Sequence, residues 1–349
     1  MSGNWLNGVP ILPTTVVGSY PQPGWLVDQE ALRQAGVPRV RARDIWRLGG
    51  DALAEGQHDA AVLALHDMAR AGVDIVGDGE AERESYSNLF ATALDGIDLV
   101  KPGNTFGRGN RATPVPRVIG PVKRTRPVVT DTVRFVRAQT DLALKVTLPG
   151  PFTMAQQAAN EFYDDDADLA FAYAEAVNAE MKDAFAAGAD IVQLDEPWMQ
   201  ARPEVAARYA VDAINKALAG APGPTAVHMC MGYAAMVKDK PTGYTFLPEL
   251  DATTADVISI EAAQPGLDVE NLAGLPHKKI MLGVIDLDNP EAETQETVAE
   301  RLRAALQVLP AERIVVAPDC GMKYIPRAVA FAKLKAMVDG TRIVRAEIG

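Results

Sequence analysis

Cysteine, histidine and aromatic residues are scarce in this sequence. It holds 2 cysteines and 4 histidines in 349 residues, and aromatics make up 6%. No run approaches the roughly 18 apolar residues that a membrane helix needs. The opening stretch MSGNWLNGVPILPTT has no basic segment and no long apolar one, so it does not read as a secretory signal. A cytoplasmic location is expected, where thiols stay reduced. There, two cysteines serve as core residues or metal ligands more often than as a disulfide. Positive charge is also short. Lys and Arg total 34 against 46 Asp and Glu, which gives a net charge of −12. Such a surface repels phosphate backbones and anionic lipids, so neither nucleic acid nor membrane is an expected partner. No G-x-G-x-x-G follows the first strand-like run, which argues against an open dinucleotide-binding sheet.

What is present is a repeated pattern of short apolar runs. Eight stand out: Thr14–Gly18, Asp74–Val76, Leu144–Leu148, Asp190–Leu194, Thr225–Cys230, Val257–Ile260, Ile280–Ile285 and Arg313–Ala317. Runs this short and uniformly apolar suit strands buried on both faces of a parallel sheet. Helical patterns lie between most of them, at Asp51–Ala71, Asp168–Ala187, Glu204–Leu218, Thr294–Leu309 and Arg327–Val338. Asp131 and Pro326 look like helix-start signals. Ala71–Val76 (AGVDIV) and Ala187–Val192 (AGADIV) nearly repeat each other, each with a glycine placed as a helix C-cap. The reading is an α/β fold, a (β/α)8 TIM barrel over residues 1–349 as one domain, with no linker to divide it. Glu84–Val129, rich in Pro and Gly, reads as a long excursion after the second strand, with a hairpin near Pro116–Lys123. Lys238–Leu250 reads as a second irregular loop. Long loops of this kind build or cover active sites.

Barrel active sites lie at the C-terminal strand ends. His228 and Cys230 are two apart, so a strand points both to one face. Glu261 and Cys320 end the sixth and eighth runs at the same rim. Cys, His and carboxylate are zinc donors. Two thiolates, one imidazole, one carboxylate and Zn2+ sum to about −1, which suits activating a further thiolate better than making hydroxide. Taken alone, a His-x-Cys on a strand is more often core than a metal site, and unpaired cysteines are commonly inert. The position of both cysteines at strand ends favours the metal. His58, His66 and His277 read as surface or packing residues, and Asp164–Asp166 as a solvated loop. Glu82, Arg83 and Glu84 read as surface charges or, beside Glu80, as substrate contacts.

The motifs VVGSYPQ, GDGEAER, IVQLDEP, HMC, ISIEAA, GVIDL and PDCGMK together resemble the catalytic C-terminal half of cobalamin-independent methionine synthase. The resemblance runs in order from about Thr14 to Val338. It implies a zinc barrel that transfers a methyl group to a thiol, with His228, Cys230, Glu261 and Cys320 as ligands. It also implies that Ser19, Glu80 and Asp195 hold the amino acid part of homocysteine, and that Arg111 contacts folate. The full-length synthases carry an extra N-terminal barrel, for which 349 residues leave no room. Two positions depart from the family pattern. Asp288 stands where the family has a histidine taken to assist proton transfer, and Gln157 where an aromatic residue packs on folate. The implied donor is therefore methyltetrahydrofolate or a methylated corrinoid protein. Two other readings compete. One is an enzyme like epoxyalkane:coenzyme M transferase, with Arg83, Arg111 or Lys323 holding the sulfonate. The other is a non-catalytic zinc- or thiol-binding barrel.

Overall fold

A computed structural model of the chain describes residues 6, 8–106 and 112–349. Seven parallel strands form one curled sheet, an open α/β layer that resembles half of a (β/α) barrel. Ten strands are present among the described residues. Those of the large sheet are β1 (Ile75–Val76), β4 (Ala143–Pro149), β6 (Ile191–Asp195), β7 (Thr225–Met229), β8 (Val257–Ile260), β9 (Lys279–Ile285) and β10 (Ile314–Pro318), hydrogen-bonded in that order. The remaining three are β2 (Asp95–Phe106), β3 (Ala112–Lys123) and β5 (Ala159–Asn160), which form a separate small sheet.

Seven of the eight apolar runs are strands, because both of their faces are buried. The first run is not. Thr14 makes one parallel bridge to Val316 of β10, and Thr15 makes one to Ile75 of β1. This segment thus touches both edges of the sheet without becoming an eighth strand.

The expected helices form with shifted ends, at Gly50–Ala71, Asp166–Ala186, Pro203–Leu218, Gln295–Leu306 and Arg327–Ile348. Gly72 closes the first of these in a left-handed conformation, with φ 87°. Asp131 sits inside the first turn of helix Thr130–Arg137 rather than capping it. Asp165 of the acidic cluster is itself a cap, accepting from the backbone N–H of Ala167 and Asp168. The helices bury their apolar stripes against the outside of the sheet. A smaller cluster of Val17, Ala226, Val257, Met281, Val315 and Ala317 packs on its inner face.

The excursion holds a longer hairpin than the sequence suggests. β2 and β3 pair antiparallel along 12 residues each, and Pro116–Lys123 is most of the second strand rather than the turn. The register breaks between Asp98 and Gly103, where Pro102 falls. No helix among the described residues is long and apolar enough to cross a membrane.

Candidate metal centre and its cavity

Strand register builds the centre. His228 of β7 lies beside Asp195 of β6 on one side and Ser259 of β8 on the other. Its Nδ1 is 2.9 Å from Ser259 Oγ. Its Nε2 is buried and has no hydrogen-bond partner among the described residues. An unsatisfied buried nitrogen is costly unless a ligand completes it. Cys230 follows the end of β7 and Cys320 the end of β10. Their sulfurs are 3.1 Å apart, with no disulfide between them, and the backbone N–H of Gly232 donates to Cys230 Sγ at 3.1 Å. One donor atom each from His228, Cys230 and Cys320 all lie within 4.8 Å of one another. The cluster is compatible with a single metal ion such as Zn2+, whose bonds to S and N run about 2.0–2.3 Å.

The electrostatics agree. Contact with the Cys230 thiol, followed by burial, raises the Cys320 thiol well above its ordinary range. Burial lowers His228, which keeps its imidazole neutral. A Cys320 thiol that holds its proton, beside a neutral imidazole, suits a cation that would draw the proton off the sulfur.

Glu261, the fourth expected ligand, is held apart from this cluster. It is fully buried, and its Oε1 accepts the backbone N–H of Met231 at 2.8 Å. Its Oε2 forms an ion pair with Lys240, whose side chain is as buried as the carboxylate. Burial pushes the Glu261 carboxyl up to about 8, and the nearby Cys230 adds to this while Lys240 opposes it. Two further groups set its position. Tyr244 Oη donates to Met229 O (3.0 Å) and accepts from Glu261 N (2.8 Å), tying β7 to β8. The Asp319 carboxylate accepts from the backbone N–H of Ala262, Ala263 and Gln264 at 3.0, 3.0 and 2.6 Å, fixing the turn after β8. Neither Lys240 nor Tyr244 stood out in the sequence, since each sits in a loop with no periodic signal.

The cluster opens into a cavity of about 460 Å3. Ser19, Glu80 and Asp195 line it together with His228, Cys230 and Cys320. Ser19 Oγ and Glu80 Oε2 are buried without a hydrogen-bond partner among the described residues. Glu80 also adopts φ 55°, a left-handed conformation that costs a non-glycine residue roughly 1–2 kcal/mol. A Cβ on Gly18 would stand 2.6 Å from Glu80 Oε1, so only glycine lets the carboxylate reach this place. Asp195 Oδ1 accepts from Gln193 Nε2 at 2.7 Å. Burial lifts Asp195 to about 6. Tyr86, Trp198 and Tyr233 supply aromatic wall, and Thr105 and Ala112–Pro114 bring the hairpin to the rim.

Other sequence expectations fall elsewhere. Asp288 does not line the cavity. It is part-exposed and pairs with Lys238. Arg111 lies outside the described residues. Gln157 is buried and bonds to the hydroxyl of Tyr86. Arg83 and Lys323 do not line the cavity either. Arg83 donates to Thr147 O and Oγ1 and pairs with Asp78, and Lys323 donates to Gln22 Oε1 and to Arg83 O. Both are structural cations, committed before any sulfonate could reach them. Glu84 is structural too, buried under Arg41 and Trp46. His58 stacks on Phe135, and His277 pairs with Asp251 at the surface.

The chain is 35% identical to a methionine synthase of Sulfurisphaera tokodaii, over 98% of this chain and 95% of that protein. It is 33% identical to one of Thermococcus kodakarensis, with 97% and 95% covered. Among solved structures, a B12-independent methionine synthase from Shewanella sp. W3-18-1 matches with TM-score 0.88 and 33% identity, over 97% of this chain and 99% of that one. A more distant structure from Listeria monocytogenes, 19% identical with TM-score 0.73, shares the fold. Residues 12–342 match the family described as cobalamin-independent synthase, catalytic domain, and the chain belongs to that family.

Proposed function

We propose that this enzyme transfers a methyl group to the thiol of homocysteine to give methionine, using zinc held by His228, Cys230, Cys320 and Glu261. The observation that carries the reading is the convergence of three unsatisfied or reactive groups on one cavity. These are the open Nε2 of His228, the paired thiols of Cys230 and Cys320, and the orphan carboxylate oxygen of Glu80. Zinc bound there supplies Lewis acidity that keeps an acceptor thiol deprotonated at neutral pH. The remaining work falls to the chain. Glu80 and Asp195 accept hydrogen bonds from the substrate's ammonium group, and Ser19 Oγ donates to its carboxylate. Together they aim the sulfur toward the thiol cluster and fix its approach to the methyl carbon. The aromatic walls keep bulk water from the reacting atoms. The Shewanella relative supports an amino acid pocket, since its structure is in complex with selenomethionine, which matches methionine in charge and nearly in size.

Thr14 and Thr15 close the curled sheet into a (β/α)8 barrel of one domain, supported by the position of Val17 in the inner apolar cluster. Asp288, paired with Lys238, exchanges the proton that a departing folate takes up. The donor is methyltetrahydrofolate, for which Arg111 would supply a contact, or a methylated corrinoid protein.

The test is methionine formation from homocysteine with each donor in turn. Cys320→Ser is expected to lose zinc and activity together, and Asp288→Asn to lower turnover with KM for homocysteine unchanged. Full zinc content and full activity in Cys320→Ser would overturn the ligand assignment.

A further inference from the structure

We infer that Lys145, on the inner face of the sheet beneath the cavity, is a positioning residue that orients Asp195 to recognise the substrate's α-ammonium group. The inference rests on the amino acid pocket proposed above. Lys145 is 2% exposed and does not line the cavity. Its Nζ donates to Val17 O and to Gln193 Oε1, both at 2.6 Å. Gln193 Nε2 in turn donates to Asp195 Oδ1 at 2.7 Å and to Val17 O at 3.0 Å. The register of β4 against β6 sets the depth, pairing Thr147 with Gln193 and Pro149 with Asp195.

A glutamine amide fits its space almost equally well in either orientation, so its neighbours choose. An ammonium on one side and a carboxylate on the other leave one choice. The oxygen must face Lys145 and the NH2 must face Asp195. Turned over, the amide would set oxygen against the carboxylate and N–H against the ammonium. Lys145 therefore selects the amide orientation, and the amide commits one oxygen of Asp195 and fixes the carboxylate plane at the cavity wall. Burial lowers the lysine to about 8, against Asp195 and Glu80, which favour its charged form, so near neutral pH it places a buried positive charge near both carboxylates. That charge limits the repulsion of two carboxylates sharing one cavity before the substrate arrives.

A structural lysine and an orienting lysine differ in what their loss does to two ligands. Zinc-loaded wild type, Lys145→Met and Gln193→Met would be titrated calorimetrically with homocysteine and with mercaptobutyrate, which lacks only the amino group. Wild type is expected to prefer homocysteine. Both variants are expected to lose about tenfold in homocysteine affinity, with mercaptobutyrate affinity within about twofold of wild type and zinc content unchanged. Lys145→Arg, which keeps the cation, is expected to recover much of the preference. Equal losses for both thiols in the variants, or an unchanged preference, would overturn the role of Lys145. If Lys145→Met does not fold, Gln193→Met alone decides between these outcomes. A wild type that does not distinguish the two thiols would instead overturn the amino acid pocket.

Discussion

Asp195 shows how a single side chain acquires a working range from its surroundings. Burial raises its pKa to about 6, helped by Glu80 and opposed by His228, Gln193 and Lys145. Above that value the carboxylate is charged and can pair with an ammonium group, and below it the proton competes. Homocysteine affinity is therefore expected to fall as pH drops through about 6, and the corresponding step is expected to vanish in Asp195→Asn. Binding titrations from pH 5 to 8 check this, and identical profiles for the two proteins would contradict it. The residues of the cavity were legible in the sequence to different degrees. His228, Cys230 and Cys320 could be found because their types are rare in this chain and sit at strand ends. Lys145 and Gln193 could not. A lysine inside an apolar run reads as an interruption, and only the strand register reveals that it meets a glutamine from the next strand.

At the level of elements, seven buried strands could be read directly, since parallel strands packed on both faces leave uniformly apolar runs. The Thr14–Gly18 run had the same composition yet forms only two bridges, because composition reports burial and not pairing. The full length of the β2–β3 hairpin was masked by Pro102, Pro114, Pro116 and Pro121; the register breaks at Pro102, and β5 pairs only with Arg117 and Val118, which leaves the prolines of β3 an open side. The Lys238–Leu250 loop was legible as irregular, but its function was not. It delivers Lys240 to a fully buried carboxylate. Removing one partner of a buried ion pair is destabilising by roughly 3–5 kcal/mol, because the other charge is stranded. Lys240→Met is therefore expected to unfold at lower denaturant without metal. Zinc is expected to raise its melting temperature more than that of wild type, since Glu261 then has no other cation to leave. Thermal melts of both proteins with and without zinc check this. Equal zinc-induced shifts would show that Glu261 does not exchange Lys240 for the metal.

Across the whole molecule, the sheet does what no local segment can. It brings a histidine and a cysteine from one strand end within 4.8 Å of a cysteine 90 residues later. It also places two carboxylates from different strand ends in the same cavity. The net charge of −12 governs solubility and repulsion of polyanions, while the chemistry is confined to this small cavity and its buried donors. The position of the two cysteines at strand ends in the sequence and the geometry of the cluster converge on the same thiols, so the claim that these thiols hold the metal underlies all the rest. Zinc-edge X-ray absorption on the zinc-loaded protein tests it most directly. Two sulfur scatterers, with nitrogen or oxygen completing the shell and one sulfur lost in Cys320→Ser, are the predicted result. A zinc shell without sulfur, or one unaltered by Cys320→Ser, would contradict it.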